Sequence, residues 1–279
     1  MAYKTLLTVL TDNGVAGTTL AHAATLAEAN EAHLDVLCLG VDRSQAGYYY
    51  AGANAMILQE TIARATEEAE TLAAFAREHL DARDGRWGVE AGVAQLADIT
   101  RHVAARARFS DLVVVPQPYG KDRGAELEPV VEGALFEGQT PVLVVPDDAD
   151  LVAQPKRIVL AWNESAEALN AVRASLPLLQ AADIVHVVII DPPTHGPNRS
   201  DPGGMLSQYL ARHGVKSQID VLSKVMPRVS DILVRHVGDV EADLIVMGAY
   251  GHSRFREAIL GGATRNMLEH SPVPVFMAH

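Results

Sequence analysis

The sequence predicts an α/β protein built from two tandem, doubly wound domains, each a five-stranded parallel sheet of Rossmann-like type. Short apolar runs alternate with alanine-rich segments at helical spacing along the whole chain, which is the pattern of βαβ units. Segments of the first half also recur in the second: Asp111-Leu112-Val113-Val114-Val115 is matched by Asp243-Leu244-Ile245-Val246-Met247, and Thr140-Pro141-Val142-Leu143-Val144 by Val273-Pro274-Val275-Phe276-Met277. The offset falls from 152 residues at Lys4 and Lys156 to 132 at Asp111 and Asp243, so the first copy carries about 20 more residues. Two copies of one unit explain this better than one large sheet. A polar stretch, 147–156, separates them, giving domains 1–148 and 155–279.

In the first copy, the apolar run 6–10 ends in Thr11, Asp12, Asn13 and Gly14, a buried strand and its turn. Leu20, Ala23, Ala24 and Ala27 predict a helix over 18–30, and 34–41 is strand-like, so the chain opens as a βαβ unit. Residues 44–55, with Tyr48, Tyr49 and Tyr50, form an excursion before a long helix over 56–80, whose Glu67, Glu68 and Glu70 mark a solvated face. Consecutive tyrosines must put at least one ring outward; they cover a pocket, sit at a subunit contact or pack as a loop on the sheet. Strands at 87–93, 111–115 and 141–145 alternate with helices at 97–107 and 128–136. The second copy runs strand 157–162, helix 166–180 ended or kinked by Pro177, strand 184–190, excursion 192–204 and helix 205–213. Strand 218–223, helix 229–237, strand 244–247, helix 263–269 and strand 273–277 complete it.

A composition of 48% hydrophobic and 21% charged residues is that of a chain able to bury real cores. The single cysteine, Cys38, allows no internal disulfide and no thiolate cluster, and reads as a buried strand residue; this fits a reducing compartment. The first residues lack the order of a signal peptide, and no apolar run approaches the roughly 18 residues of a membrane span. A soluble, cytoplasmic protein is expected. The formal net charge of −12 disfavours nucleic acid and anionic membranes, so an anionic ligand must be caught locally, by backbone donors or a few cations.

The stretch from Asp243 to Asn266 has the outline of such a site. An apolar run stops at Gly248, and glycines return at Gly251, Gly261 and Gly262 just before a helix start. Glycines allow tight turns and close approach to an anion, and the following helix offers N–H donors and its positive dipole end. The plainer reading is that these glycines only connect strand and helix. The first copy differs at the same place: Pro116 and Pro118 remove donors, and Glu126 and Glu128 bring negative charge where phosphates would sit. It should not hold a phosphate in this manner. Asp12 either caps the next helix or touches a ligand, the cap being the simpler role. His186, within an apolar run, reads as a packed strand histidine, and no H-x-x-x-H or paired-cysteine spacing points to zinc, so no metal ligand is assigned.

With these motifs the whole chain resembles a tandem universal stress protein (Usp), two copies of a fold similar to the adenine nucleotide alpha hydrolases. The spacing Gly248-x2-Gly251-x9-Gly261 and the HSPVPVF ending carry the resemblance; the first half matches by topology more than by motif. The resemblance implies a stress-response module holding ATP, AMP or another adenine nucleotide, with or without Mg2+, in the C-terminal domain. It implies that Asn163, where the family usually has Asp, contacts the nucleoside, with Ala161 just before it. Ile189 would offer backbone contacts to the base and Met247 would lie under the ring. Gly248 and Gly251 would turn the loop, and Gly261, Gly262, Ala263 and Thr264 would wrap the phosphates. The family commonly has Ser where this chain has Gly262, so a hydroxyl donor is lost and phosphate binding should weaken, a neutral hydrogen bond being worth about 0.5–1.5 kcal/mol net. His252, Arg254 and Arg256 either add cationic contacts or face water.

The family's final strands pair between protomers; here Val142–Val145 and Val275–Met277 would pair within one chain, making a pseudo-dimer that could dimerise further. Two other functions stay open: a slow ATPase, against which no Walker lysine follows the glycines and no catalytic residue can be named, and a decayed site whose excursions enclose another small molecule or which acts through protein partners.

Overall fold

The computed structural model describes residues 2–43, 55–121, 123–151, 153–192, 201–249 and 262–279. It divides into two compact units, Tyr3–Thr140 and Pro141–His279, the latter joined by the first residues of the chain.

The first unit contains β1 (Thr5–Leu10), α1 (Asn13–Asn30), β2 (His33–Asp42), α2 (Ala55–Asp81), β3 (Arg86–Gln95), α3 (Ile99–Ala107), β4 (Leu112–Pro116) and α4 (Leu127–Glu132). The strands lie in the order β3-β2-β1-β4, all parallel, with Leu6 opposite both Leu34 and Leu112. β1 and β4 are apolar along nearly their whole length because both of their faces are covered, as parallel strands require. β3, at the end of this order, instead carries Arg86, Glu90 and Gln95 outward. In α2, Ala65, Ala69, Leu72, Ala73, Ala76 and Leu80 recur at helical spacing and are buried, and the helix lies on β2 and β3. The approach is close at one point: a Cβ on Gly40 would stand 1.7 Å from the Ala65 carbonyl oxygen, so only glycine fits in β2 there. Beyond α4 the chain widens into a π-helical turn, Gly133–Glu137.

The second unit contains β5 (Val142–Val145), β6 (Arg157–Ala161), α5 (Ala166–Ala174), α6 (Leu176–Ala181), β7 (Ile184–Ile190), α7 (Gly204–Arg212), β8 (Ser217–Leu222), α8 (Val229–Asp239), β9 (Leu244–Gly248), α9 (Ala263–His270) and β10 (Val275–Ala278). The strand order is β5-β10-β9-β6-β7-β8. The last five of these strands are parallel to one another, while β5 runs antiparallel to β10 with Val142 opposite Met277 and Val144 opposite Val275. This is the pairing expected from the sequence for these two segments.

The helix predicted over 166–180 is two helices. Ser175, whose backbone N–H closes α5 on Ala171, also accepts from Leu178 and Leu179 to open α6, and Pro177 sits in the first turn of α6, where its missing N–H costs nothing.

The internal repeat reaches to single hydrogen bonds. Asp111 accepts the backbone N–H groups of Lys4 at 2.6 Å and Thr5 at 3.0 Å, and Asp243 accepts those of Lys156 at 2.8 Å and Arg157 at 3.1 Å. In each unit the carboxylate at the start of the fourth strand thus fastens the start of the first.

Candidate functional site

In the second unit the chain lays β6, β7 and β8 to one side, then returns to place β9 and β10 on the other. The strand order therefore reverses between β6 and β9, and the crevice outside their carboxyl ends is where open parallel sheets bind ligands. Ala161 ends β6 and Met247 and Gly248 end β9, so three of the expected site residues flank this crevice. Asn163 follows two residues after β6. Its side-chain oxygen accepts the Ser165 N–H at 3.2 Å, while Ser165 caps α5 through the Ala168 N–H at 3.1 Å, and Glu164 between them adopts a left-handed φ of 61°. Asn163 thus closes the strand-to-helix turn. Asp12 does the same in the first unit, accepting the Gly14 N–H at 2.5 Å as the cap of α1.

Ile189 lies one residue beyond the last β6 partner, Val188, whose carbonyl accepts the Trp162 N–H at 2.9 Å. Its side chain is buried under the start of α7, with a Cβ on Gly203 standing only 2.8 Å from its Cδ1. Met247 is buried and opposite Met277. Gly248 has a packing reason of its own: a Cβ there would stand 2.5 Å from the Ala168 nitrogen and 2.7 Å from the Glu167 carbonyl carbon, so the head of α5 can approach β9 only over a glycine. Gly262 caps α9 without a side chain, Ala263 and Thr264 form the first turn, and Thr264 is buried. Gly251, Gly261, His252, Arg254 and Arg256 lie outside the described residues, as do the three tyrosines 48–50 and much of the 192–204 excursion.

In the first unit the corresponding reversal falls between β1 and β4. A cleft of ≈ 410 Å³ opens beyond β1, lined among others by Thr11, Asp12, Arg43, Glu68 and Thr71. The expected negative charge is compensated: Glu126 is buried and accepts from Arg43 at 2.8 Å, and Glu128 accepts from the Tyr119 hydroxyl at 2.8 Å. Partial burial opposes the Arg43 charge, but the hydrogen bonds to Glu126 and Glu68 outweigh it and hold the guanidinium's pKa above its ordinary value. Thr11 Oγ1 is buried with no hydrogen-bond partner among the described residues. Cys38 is fully buried, and that burial pushes its thiol up to about 12, as expected of a packed strand residue.

A second constellation was not legible in the sequence. His186 on β7 and His236 on α8 converge on one oxygen of Asp220 on β8: His186 Nδ1 at 2.8 Å and His236 Nε2 at 2.9 Å from Oδ2. Gln218 Nε2 donates to the other oxygen at 2.8 Å. Burial pushes the Asp220 carboxyl up, but the three donors more than compensate and hold it below the usual carboxylate range. The one available signal was a histidine at an outward position of an apolar strand.

An open, mostly parallel α/β sheet with a glycine-edged crevice at its switch point defines a doubly wound, Rossmann-like class of domain. Residues 155–279 match the model of the Universal stress protein family, and this segment is a domain of that family. Universal stress protein Slr1230 of Synechocystis sp. (strain ATCC 27184 / PCC 6803 / Kazusa) is 25% identical over 153 residues, covering 54% of this chain and 50% of that protein, so the chain spans about half the length of this curated relative. A universal stress protein from Archaeoglobus fulgidus DSM 4304 superposes with a TM-score of 0.73 over 99% of this chain and 96% of that one, at 16% identity, which shows the shared fold. Another solved structure, a universal stress protein in complex with cAMP, covers 45% of this chain and 98% of its own at 21% identity and a TM-score of 0.36. No helix among the described residues is long and apolar enough to cross a membrane.

Proposed function

We propose that this chain is a tandem Usp protein of the cytoplasm, with domains 1–148 and 155–279, and that its C-terminal domain binds an adenine nucleotide to regulate a stress response rather than to turn it over. Ala161, Asn163, Ile189, Met247 and Gly248 form the nucleoside end of the site in this reading. Gly251, Gly261, Gly262, Ala263 and Thr264 form the phosphate end. The observation that carries it is the placement of Ala161 and Gly248 on either side of the β6/β9 switch point, with the head of α9, which has no side-chain cap among the described residues, following in sequence. A helix start without a side-chain cap leaves its first turn suited to an anion. One lone pair of the Asn163 oxygen serves the turn, and the side chain also offers a ribose its amide N–H2, a donor where a carboxylate could only accept. Pairing of β5 with β10 favours an intramolecular pseudo-dimer over pairing with a second protein.

Calorimetry with ATP, ADP, AMP and cAMP, together with native mass spectrometry of the purified chain, tests the reading. Saturable binding of at least one nucleotide is expected; no heat at millimolar concentration of any of them would sink it. Release of phosphate from saturating ATP with Mg2+ at a steady rate would replace the binding module by the slow ATPase.

A second reading places a small polar ligand in the first unit's cleft, favoured by the buried Thr11 hydroxyl, which has no partner among the described residues, and by Arg43 on the same lining. Native mass spectrometry would show it as an adduct that survives removal of nucleotide and is lost in Thr11→Val.

A further inference from the structure

We propose that His186, Asp220 and His236 form a binding site for a divalent first-row transition cation of the zinc class, on the second unit and separate from the nucleotide crevice. The three ligand atoms lie within 4.8 Å of one another, and the side chains come from three different elements. Parallel pairing sets Asp220 opposite Val188 and Gln218 opposite His186, so His186, Gln218 and Asp220 share one face of the β7/β8 ribbon. His236, from the last turn of α8, reaches the same carboxylate oxygen.

The chemistry of this set favours a cation over a purely structural contact. Both imidazoles aim a ring nitrogen at one oxygen, and each of the three side chains is only 12% exposed. The rings stand edge to face with centroids 6.0 Å apart, flanking the volume where two N–H protons now converge. Two imidazoles and a carboxylate are a donor set that suits zinc and its first-row neighbours, and three protein ligands leave one position for water. In its neutral form each ring ligates as the tautomer with its proton on the remote nitrogen; the N–H bond at the ligating nitrogen breaks and one forms at the other, the proton passing through water. Gln218 would continue to hold the second carboxylate oxygen, the kind of outer support that metal-bound carboxylates have. The carbonyl end of α8, where His236 sits, is also the helix end that favours a positive charge. The inference does not rest on nucleotide binding, since the nucleotide crevice lies at the carboxyl ends of β6 and β9 and neither strand supplies a ligand.

The test is a titration of the chelator-treated full chain with Co2+, read by visible absorption, followed by displacement with Zn2+. One Co2+ per chain is expected, with nitrogen and oxygen ligation bands that one equivalent of Zn2+ removes. Gln218→Ala should weaken binding about 10–100-fold, and His236→Gln should abolish the saturable component. The chain has 11 histidines, so uptake that His236→Gln leaves unchanged would overturn the proposal, as would the absence of saturable uptake by the wild type. Should His236→Gln fail to fold, nitrogen-detected imidazole spectra of the wild type decide: Zn2+ must move the His186 and His236 ring signals, and unmoved signals refute the site.

Discussion

Gly248 shows how a packing constraint and an expected ligand loop can fall on one residue. The sequence marks it as the first glycine of a phosphate loop, while the structure shows the head of α5 lying 2.5 Å from where its Cβ would be. Gly248→Ala should therefore destabilise the protein by about 1–3 kcal/mol through overpacking, read as a fall in urea midpoint at unchanged m-value. Gly238, near the end of α8 with nothing within 4 Å of its added Cβ, is the control: Gly238→Ala should raise stability by about 0.5–1 kcal/mol. Gly262 is a different case, since its φ of −55° suits any residue and, among the described residues, no side chain caps α9. Gly262→Ser should add a few tenths of a kcal/mol to stability. On the nucleotide reading it should also tighten ATP by up to about tenfold, one neutral hydrogen bond's worth. Calorimetry on the two proteins side by side checks both; tighter folding with unchanged ATP affinity would place the phosphates elsewhere.

Among the elements, the carboxylates that fasten first strand to fourth are a device repeated in both units. Asp243→Ala removes two charge-assisted bonds to the backbone N–H groups of Lys156 and Arg157, at a surface position. A loss of about 1–2 kcal/mol is expected, checked by denaturant melts of Asp243→Ala and Asp111→Ala. Most elements were legible because strands buried on both faces read as unbroken apolar runs, as at Leu112–Val115, and because α2 repeats its alanines at helical spacing. The interruptions were less so. The predicted helix 128–136 becomes α4 followed by a π turn at Gly133, where a Cβ would stand 2.7 Å from the Thr100 carbonyl oxygen; that constraint comes from α3, far away in sequence. The site was half legible. Its glycines have a recognisable spacing, but the binding of Asn163 to its own turn depends on a left-handed Glu164, and the His186, Asp220 and His236 cluster depends on strand register. Positions separated by 34 and 16 residues on three elements form no linear motif.

For the molecule as a whole, the two copies share a scaffold and differ where function is expected. Stability toward acid follows from the scaffold. The hydrogen bond from Arg106 holds the Glu90 carboxyl below its ordinary value, a direction that survives partial burial. A carboxyl depressed in the folded state contributes stability above its unfolded pKa of about 4.3, and loses it as pH falls through the lower folded value. Because Glu90 is more than half exposed, the contribution stays under about 1 kcal/mol. Glu90→Gln should therefore lower stability at pH 7 slightly, match the wild type near pH 2, and flatten the pH dependence between.

Stoichiometry follows from where the copies part. β9 ends at Gly248 and α9 opens on Gly262 with no side-chain cap among the described residues, whereas β4 ends at Pro116, which has no N–H to give, and Arg43 of the first unit is already held by Glu126 and Glu68. A free cation and free backbone donors are what a triphosphate would need on a chain of net charge −12, and in the first copy Arg43 is paired and Pro116 offers no N–H. On the nucleotide reading, calorimetry should thus give one nucleotide per chain. Thr264→Ala should weaken that single binding event without revealing a second, and a stoichiometry of two would mean that the ion pair of Arg43 and Glu126 opens to admit phosphate.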